Sequence, residues 1–174
     1  MQAPEAYYSG SPVWLTNLLG IDAFRTVATL QCYSPGNKFS YGRTEDGRLQ
    51  IDREYQTGVV DEDLVFVSKL THLRTLSLEA NHITDQGLIN LESLLRLETL
   101  NLSNTTITDR GLVTLAKLPH LRDLDISRTD VTDASVEFLE DCRALESLDI
   151  EMTNITPEGV LLLRQGLPNC QIAN

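Results

Sequence analysis

Aromatic side chains are scarce: Phe, Trp and Tyr make up 6% of the 174 residues, so any core this chain builds must be aliphatic. Basic side chains are also in short supply, 14 Lys and Arg against 25 Asp and Glu, for a formal net charge of −11. A surface of that sign repels phosphate backbones and anionic lipid, which argues against nucleic acid as a partner. No segment approaches the roughly 18 uninterrupted apolar residues that a membrane span needs, so no membrane insertion by this chain is expected. The start, Met1-Gln2-Ala3-Pro4-Glu5, lacks the basic-then-apolar order of a secretory signal.

What is present is a repeat. The frame Leu73-x-x-Leu76-x-Leu78 recurs at Leu97-x-x-Leu100-x-Leu102, Leu121-x-x-Leu124-x-Ile126 and Leu145-x-x-Leu148-x-Ile150, a period of 24 with no insertion. This half of the unit alternates as a strand with one buried face does. The other half reads Ile83-Thr84-Asp85-Gln86-Gly87-Leu88, Ile107-Thr108-Asp109-Arg110-Gly111-Leu112, Val131-Thr132-Asp133-Ala134-Ser135-Val136 and Ile155-Thr156-Pro157-Glu158-Gly159-Val160. It has helical spacing, with Leu112, Leu115 and Leu118 along one face. Val59-Val60-Asp61-Glu62-Asp63-Leu64 matches one period upstream, which sets a degenerate first repeat near Leu49.

Local chemistry supports the frame. Thr84, Thr108, Thr132 and Thr156 stand where helix N-caps belong, and the acid after each of the first three suits the positive helix end. Pro157 falls at a first helical position, where proline is favoured. Gly87, Gly111 and Gly159 read as close-packing positions at helix starts. Thr57, Asn81, Thr105, Thr129 and Thr153 share the ninth repeat position and are expected to form a polar spine that satisfies backbone groups of their own and the adjacent coil.

These residues resemble the leucine-rich-repeat superfamily, in particular the L-x-x-L-x-L-x-x-T/N-x-I-T-D-x-G-L variety of ribonuclease-inhibitor-like, cysteine-containing and bacterial repeat proteins. The resemblance covers about residues 49–174. It implies an α/β fold: a right-handed solenoid with parallel strands on the concave side and short helices on the convex side, with protein recognition as its usual role. Asp52 and Glu54 depart from it by replacing apolar residues of the first strand frame.

A solenoid needs its ends covered. Residues 1–48 read as an N-terminal cap: a helix opened by Ser11-Pro12 and carrying Val13, Trp14, Leu15, Leu18 and Leu19, a short turn from Asp22, a strand over Val27–Tyr33, and a turn at Ser34-Pro35-Gly36-Asn37. Residues 49–174 form the solenoid, and the segment Leu167 to Ile172 supplies a short closing strand. The whole is one structural unit. Cys32, Cys142 and Cys170 are odd in number and lack metal-ligand spacing, and the last two fall in repeat positions that other coils fill with apolar residues. They are expected to be buried free thiols, which fits a reducing, cytoplasmic location. The segment Trp14 to Gly20 resembles the region before the repeats in some planctomycete-type bacterial proteins, and that implies the alternative of a soluble part of a membrane-anchored protein.

Strand alternation assigns the third, fifth and seventh repeat positions to the concave surface. It becomes increasingly acidic along the stack, through Glu79, Asn101, Asp123, Asp125, Asp149 and Glu151, with Arg128 and Met152 at the rim. Asp125 and Asp149 fall on neighbouring strands, about 5 Å apart, where their repulsion is about 0.8 kcal/mol even in water. Two readings compete: a solvated surface that keeps the protein soluble, or a site for a basic patch on a partner protein. A divalent cation is a further alternative for these carboxylates, and a self-associating scaffold a third role. Catalysis has no support: His72 and His120 sit two repeats apart, about 10 Å, with Arg96 between them, His82 lies beyond its strand, and no nucleophile–base pair or phosphate loop can be built. The expectation is a non-enzymatic, monomeric binding module with no cofactor and no bound metal.

Overall fold

The computed structural model describes Thr29–Cys32, Tyr41–Arg43, Leu49–Ile51 and all residues from 59 to 174. The element order is β1 (Thr29–Cys32), β2 (Tyr41–Arg43), β3 (Leu49–Ile51), α1 (Asp61–Val67), β4 (Thr75–Ser77), α2 (Asp85–Leu88) running into a 3-10 turn (Ile89–Ser93), and β5 (Thr99–Asn101). Then come α3 (Asp109–Leu115), β6 (Asp123–Asp125), a 3-10 turn (Asp133–Ser135) leading into α4 (Val136–Asp141), β7 (Ser147–Asp149), α5 (Pro157–Gly166) and β8 (Gln171–Ala173). From β4 onward each strand pairs in parallel with the next, at a register shift of one repeat: Leu76, Leu100, Leu124, Leu148 and Ile172 stand side by side. The 24-residue period is therefore one full coil, strand to helix to strand.

The core lies between the sheet and the helices. The four leucines of that row are at most 2% exposed, and Leu64, Leu88, Leu112 and Leu115 close over them from the helices. Every buried hydrophobic residue among those described is Leu, Ile, Val or Cys; Phe66 and Phe138 only flank the cluster. The scarcity of aromatics thus translates into an aliphatic core of repeated shape.

The strand order is β2-β3-β1-β4-β5-β6-β7-β8. The strand beside β4 is β1, with Leu30 in register with Leu76, and the Leu49 segment lies one place further out, parallel to β1. The repeat frame had placed the Leu49 segment next to β4. The physical reason for the difference is in the frame itself, which would set Asp52 and Glu54 at the positions of Leu76 and Leu78; unpaired carboxylates there would lose their hydration with nothing to replace it. The Val27–Tyr33 strand is present as β1, and the closing strand as β8. The expected helix at 11–20, the short turn after Asp22, the turn at 34–37 and Thr57 lie outside the described residues.

Helix starts follow the predicted caps. The hydroxyls of Thr84, Thr108 and Thr132 accept from the backbone N–H two residues on at 3.2 to 3.4 Å, and that of Thr156 from Gly159 at 3.3 Å. Each cap does a second job across coils. Asp61, Asp85, Asp109 and Asp133 take the backbone N–H of the next coil's threonine on one carboxylate oxygen, at 2.7 to 2.9 Å, and its hydroxyl on the other, at 2.5 to 2.8 Å. The glycines make room for these carboxylates: a Cβ at Gly87, Gly111 or Gly159 would stand 2.2, 2.6 or 2.1 Å from the aspartate oxygen of the preceding coil. Where Ser135 takes the glycine's place, the helix begins as a 3-10 turn, and the serine hydroxyl donates to the Thr132 carbonyl. In α1 the cap position is Val60, which has no acceptor. Asp63, at the glycine position, accepts the Val60 N–H instead.

Candidate functional site

The open face of the sheet is formed by the side chains that alternate with the core leucines. Register places Ser77, Asn101, Asp125, Asp149 and Ala173 in one row across β4 to β8, and Thr75, Thr99, Asp123, Ser147 and Gln171 in a second. Sequence periodicity thus located the acidic residues correctly relative to one another. Asp123, Glu79 and Glu151 are exposed, while Asn101, Asp125 and Asp149 are half-buried.

Their hydrogen bonds change how the face is understood. Asn101 Oδ1 accepts from both the backbone N–H and the hydroxyl of Ser103, at 2.8 and 2.7 Å. Asp125 Oδ1 does the same with Ser127, at 2.9 and 2.7 Å, and Asp149 Oδ1 takes the Glu151 N–H at 2.9 Å. The fifth repeat position therefore folds the turn that leaves β5, β6 and β7, a role for which Asn and Asp are suited by their short side-chain acceptors. Asp123 Oδ2 accepts from the Thr99 hydroxyl at 3.2 Å. Each of the three aspartates has a second oxygen with no hydrogen bond among the described residues. These local contacts to charged acceptors are worth about 1.5 to 3 kcal/mol each and offset the repulsion between Asp125 and Asp149 on neighbouring strands.

Arg128 and Met152 belong to a third row, with Ala80 and Asn104, whose backbones are left-handed at φ of 55 to 57°. The N–H groups of Ala80, Asn104 and Arg128 each donate to the next coil, to Ser103, Ser127 and Glu151 carbonyls at 2.8 to 2.9 Å. The turn conformation thus continues the ladder past the strands and holds Met152, 74% exposed, at the rim.

The spine is built less uniformly than its spacing suggested. Asn81 Oδ1 accepts from the Val59 N–H of the preceding coil at 2.7 Å, and its amide donates to the Glu79 carbonyl at 2.9 Å. Thr105, Thr129 and Thr153 donate only to the carbonyl three residues back, at 2.6 to 2.8 Å, and Thr153 also accepts from Ile155 at 3.4 Å. At this position the threonine hydroxyl is turned to a carbonyl of its own coil, so the inter-coil role expected of the whole row is carried by Asn81 alone among the described members.

A charge pattern at the other edge of the sheet was missed. Arg74, Glu98, Arg122 and Glu146 share the second repeat position and alternate in sign; Arg74 pairs with Glu98, and Arg122 with Glu146 at 2.8 Å. Comparing second positions across repeats would have found it. Cys142 is buried, and burial with the Asp141 charge beside it pushes its thiol up to about 12. Cys170 is only partly buried, contrary to expectation. Strand register, Leu148 beside Ile172, puts it at the position of Glu146 rather than at an apolar one. His72, His82 and His120 are all exposed, and among the described residues no three His, Cys, Asp or Glu side chains converge as metal ligands. No described helix is long and apolar enough to cross a membrane.

Residues 71–131 match the leucine rich repeat family, and residues 141–163 a second leucine rich repeat family. Among solved structures, the chain is similar to an internalin C2 of Listeria monocytogenes (27% identity, 62% of this chain and 44% of that one, TM-score 0.49). It is also similar to a second L. monocytogenes internalin (24%, 62% and 36%, TM-score 0.45) and to a leucine-rich-repeat protein of Leptospira interrogans (22%, 70% and 36%, TM-score 0.47). The chain spans less than half the length of each. No curated protein matches it. Domains of this family generally mediate protein–protein contact and are generally not enzymes. With its 24-residue coils, its parallel ladder and its family matches over residues 71–131 and 141–163, the chain is a leucine-rich-repeat protein.

Proposed function

We propose that this chain is a non-enzymatic recognition module whose open strand face meets a basic surface on a partner protein at Asp123, Asp125, Asp149 and Glu151. Glu79, Asn101, Arg128 and Met152 border that patch. The observation that carries the reading is the division of charge across the sheet: at one edge Arg74 and Arg122 are spent on Glu98 and Glu146, whereas the aspartates of β6 and β7 each keep one oxygen without a hydrogen bond among the described residues. A row of uncompensated carboxylates steers and orients a cationic partner more than it adds raw affinity. Two free thiols, Cys142 and Cys170, suit a reducing, cytoplasmic setting.

The test separates charge from fold. Asn101 holds the same turn as Asp125 without a charge, so Asp125→Asn with Asp149→Asn keeps the turns and removes two charges. Partners captured from the native lysate should bind the double variant at least about tenfold more weakly, and should release between about 50 and 500 mM salt. Equal binding by the double variant, or salt-independent capture, defeats the reading.

A further inference from the structure

The helix side carries a pattern of its own. Val65, Ile89, Val113 and Leu161 recur at the 24-residue period and are 41 to 59% exposed, with Glu137 at the fourth place in the row. Residues three before and four after each of these share its outward helical face. The outer triplets are Glu62-Val65-Lys69 on α1 and the turn after it, Gln86-Ile89-Ser93 on α2 and its 3-10 turn, Arg110-Val113-Lys117 on α3 and the turn after it, Ala134-Glu137-Asp141 on α4 and the 3-10 turn before it, and Glu158-Leu161-Gln165 on α5, and all fifteen are exposed. Among the described residues Arg110, Glu137 and Asp141 form no ion pair, and Lys117 pairs only with Glu92.

A cationic triplet thus lies next to an anionic one. We propose that this helical face is an interface between two copies of the chain, related by a two-fold axis between α3 and α4. A two-fold normal to the face runs the opposed helices antiparallel and makes each contact twice. Arg110 then meets Asp141 of the second copy, and Glu137 of the second copy lies over Val113 between Arg110 and Lys117. One coil out, Ile89 meets Leu161, with Gln86 facing Gln165 and Ser93 facing Glu158. No like charges meet.

Neighbouring registers all bring like charges together. An axis on α3 sets Arg110 against Lys117, and one on α4 sets Glu137 against itself. Between α2 and α3 it sets Glu62 against Asp141, on α2 Lys69 against Arg110, and between α4 and α5 Asp141 against Glu158. Juxtaposed like charges suppress wrong pairings, so among axes placed from α2 to the gap between α4 and α5, where at least two helices of each copy meet, the charges select one register. This departs from the monomer expected on sequence, and it is independent of the strand-face proposal because it uses the opposite side of the sheet.

The test uses the full chain and two charge-swapped variants, Arg110→Glu with Lys117→Glu, and Glu137→Arg with Asp141→Arg. Sedimentation equilibrium at about 50 mM salt should show a concentration-dependent dimer for the native chain and at least about tenfold weaker association for each variant alone. An equimolar mixture should regain the native affinity, because each contact then pairs opposite signs again. Unchanged circular dichroism confirms that both variants fold. A native chain that stays monomeric to about 1 mM, variants that dimerise alone, or a mixture that stays monomeric each overturns the proposal.

Discussion

Asp85 accepts two hydrogen bonds from Thr108, one from its backbone N–H and one from its hydroxyl, both at 2.7 Å, and the same carboxylate sits where a side chain at residue 111 would begin. Three residues from two coils are thereby tied to one another. Changing any of them tests the other two.

Gly111→Ala should destabilise the chain by about 1 to 3 kcal/mol, although alanine is the better helix former by about 1 kcal/mol, because the new Cβ would stand 2.6 Å from Asp85 Oδ1 and 2.8 Å from Leu88 Cδ1. Asp85→Ala alone should cost about 2 to 3 kcal/mol through the two lost bonds. In the Asp85→Ala background Gly111→Ala should cost less, because only the contact with Leu88 Cδ1 is left to relieve. Urea unfolding of the four proteins as a double-mutant cycle gives the coupling, and additive costs would refute the shared-space account.

Met152→Asn should raise stability by about 0.5 to 1 kcal/mol, because methionine at φ 57° pays for a left-handed backbone that asparagine adopts readily. Asn104 occupies the equivalent turn and supplies the reverse control, Asn104→Met, with the opposite sign. A shift of the denaturation midpoint at constant slope is the measurement. No shift in either direction would show that the turn carries no strain.

The Cys142 thiol, pushed up to about 12 by burial and then by Asp141, compares with a value of 9.0 in an unstructured chain. Between those values the unfolded chain releases a proton that the folded chain keeps. Stability should therefore be unaffected by this group below pH 9 and fall as pH rises from 9 towards 12, by at most about 1.4 kcal/mol per pH unit. Cys142→Leu, the residue found at the equivalent Leu94 and Leu118, removes that slope. Alkaline denaturation of the two proteins with identical slopes would contradict it.

Coil, core and face were legible because each depends on residues that recur every 24 positions. The leucine rows gave the parallel register, and alternation gave the row that holds Asp125 beside Asp149. The inner end was not legible, because the strand beside β4 comes from Thr29–Cys32, out of phase with the repeat. Only the awkwardness of Asp52 and Glu54 in core positions hinted at that substitution. Hydrogen bonding was half legible. Thr108 reads as a cap from local sequence, but its partner Asp85 is 23 residues away, and no local pattern shows that contact. Asp125 looked like a free charge for a different reason: its partner Ser127 is only two residues on, but strand alternation reads both as outward-facing and does not show that one carboxylate oxygen closes the turn between them.

The aspartate-to-threonine bridge has an evolutionary corollary. Since it always links one coil to the next at an offset of 23 residues, a block such as 85–108 begins and ends on matching halves of the same contact. In-frame duplication or loss of such a block in the gene would recreate every junction with residues already selected for it. The length of the open strand face can thus change in steps of one strand, about 4.8 Å, without inventing new packing.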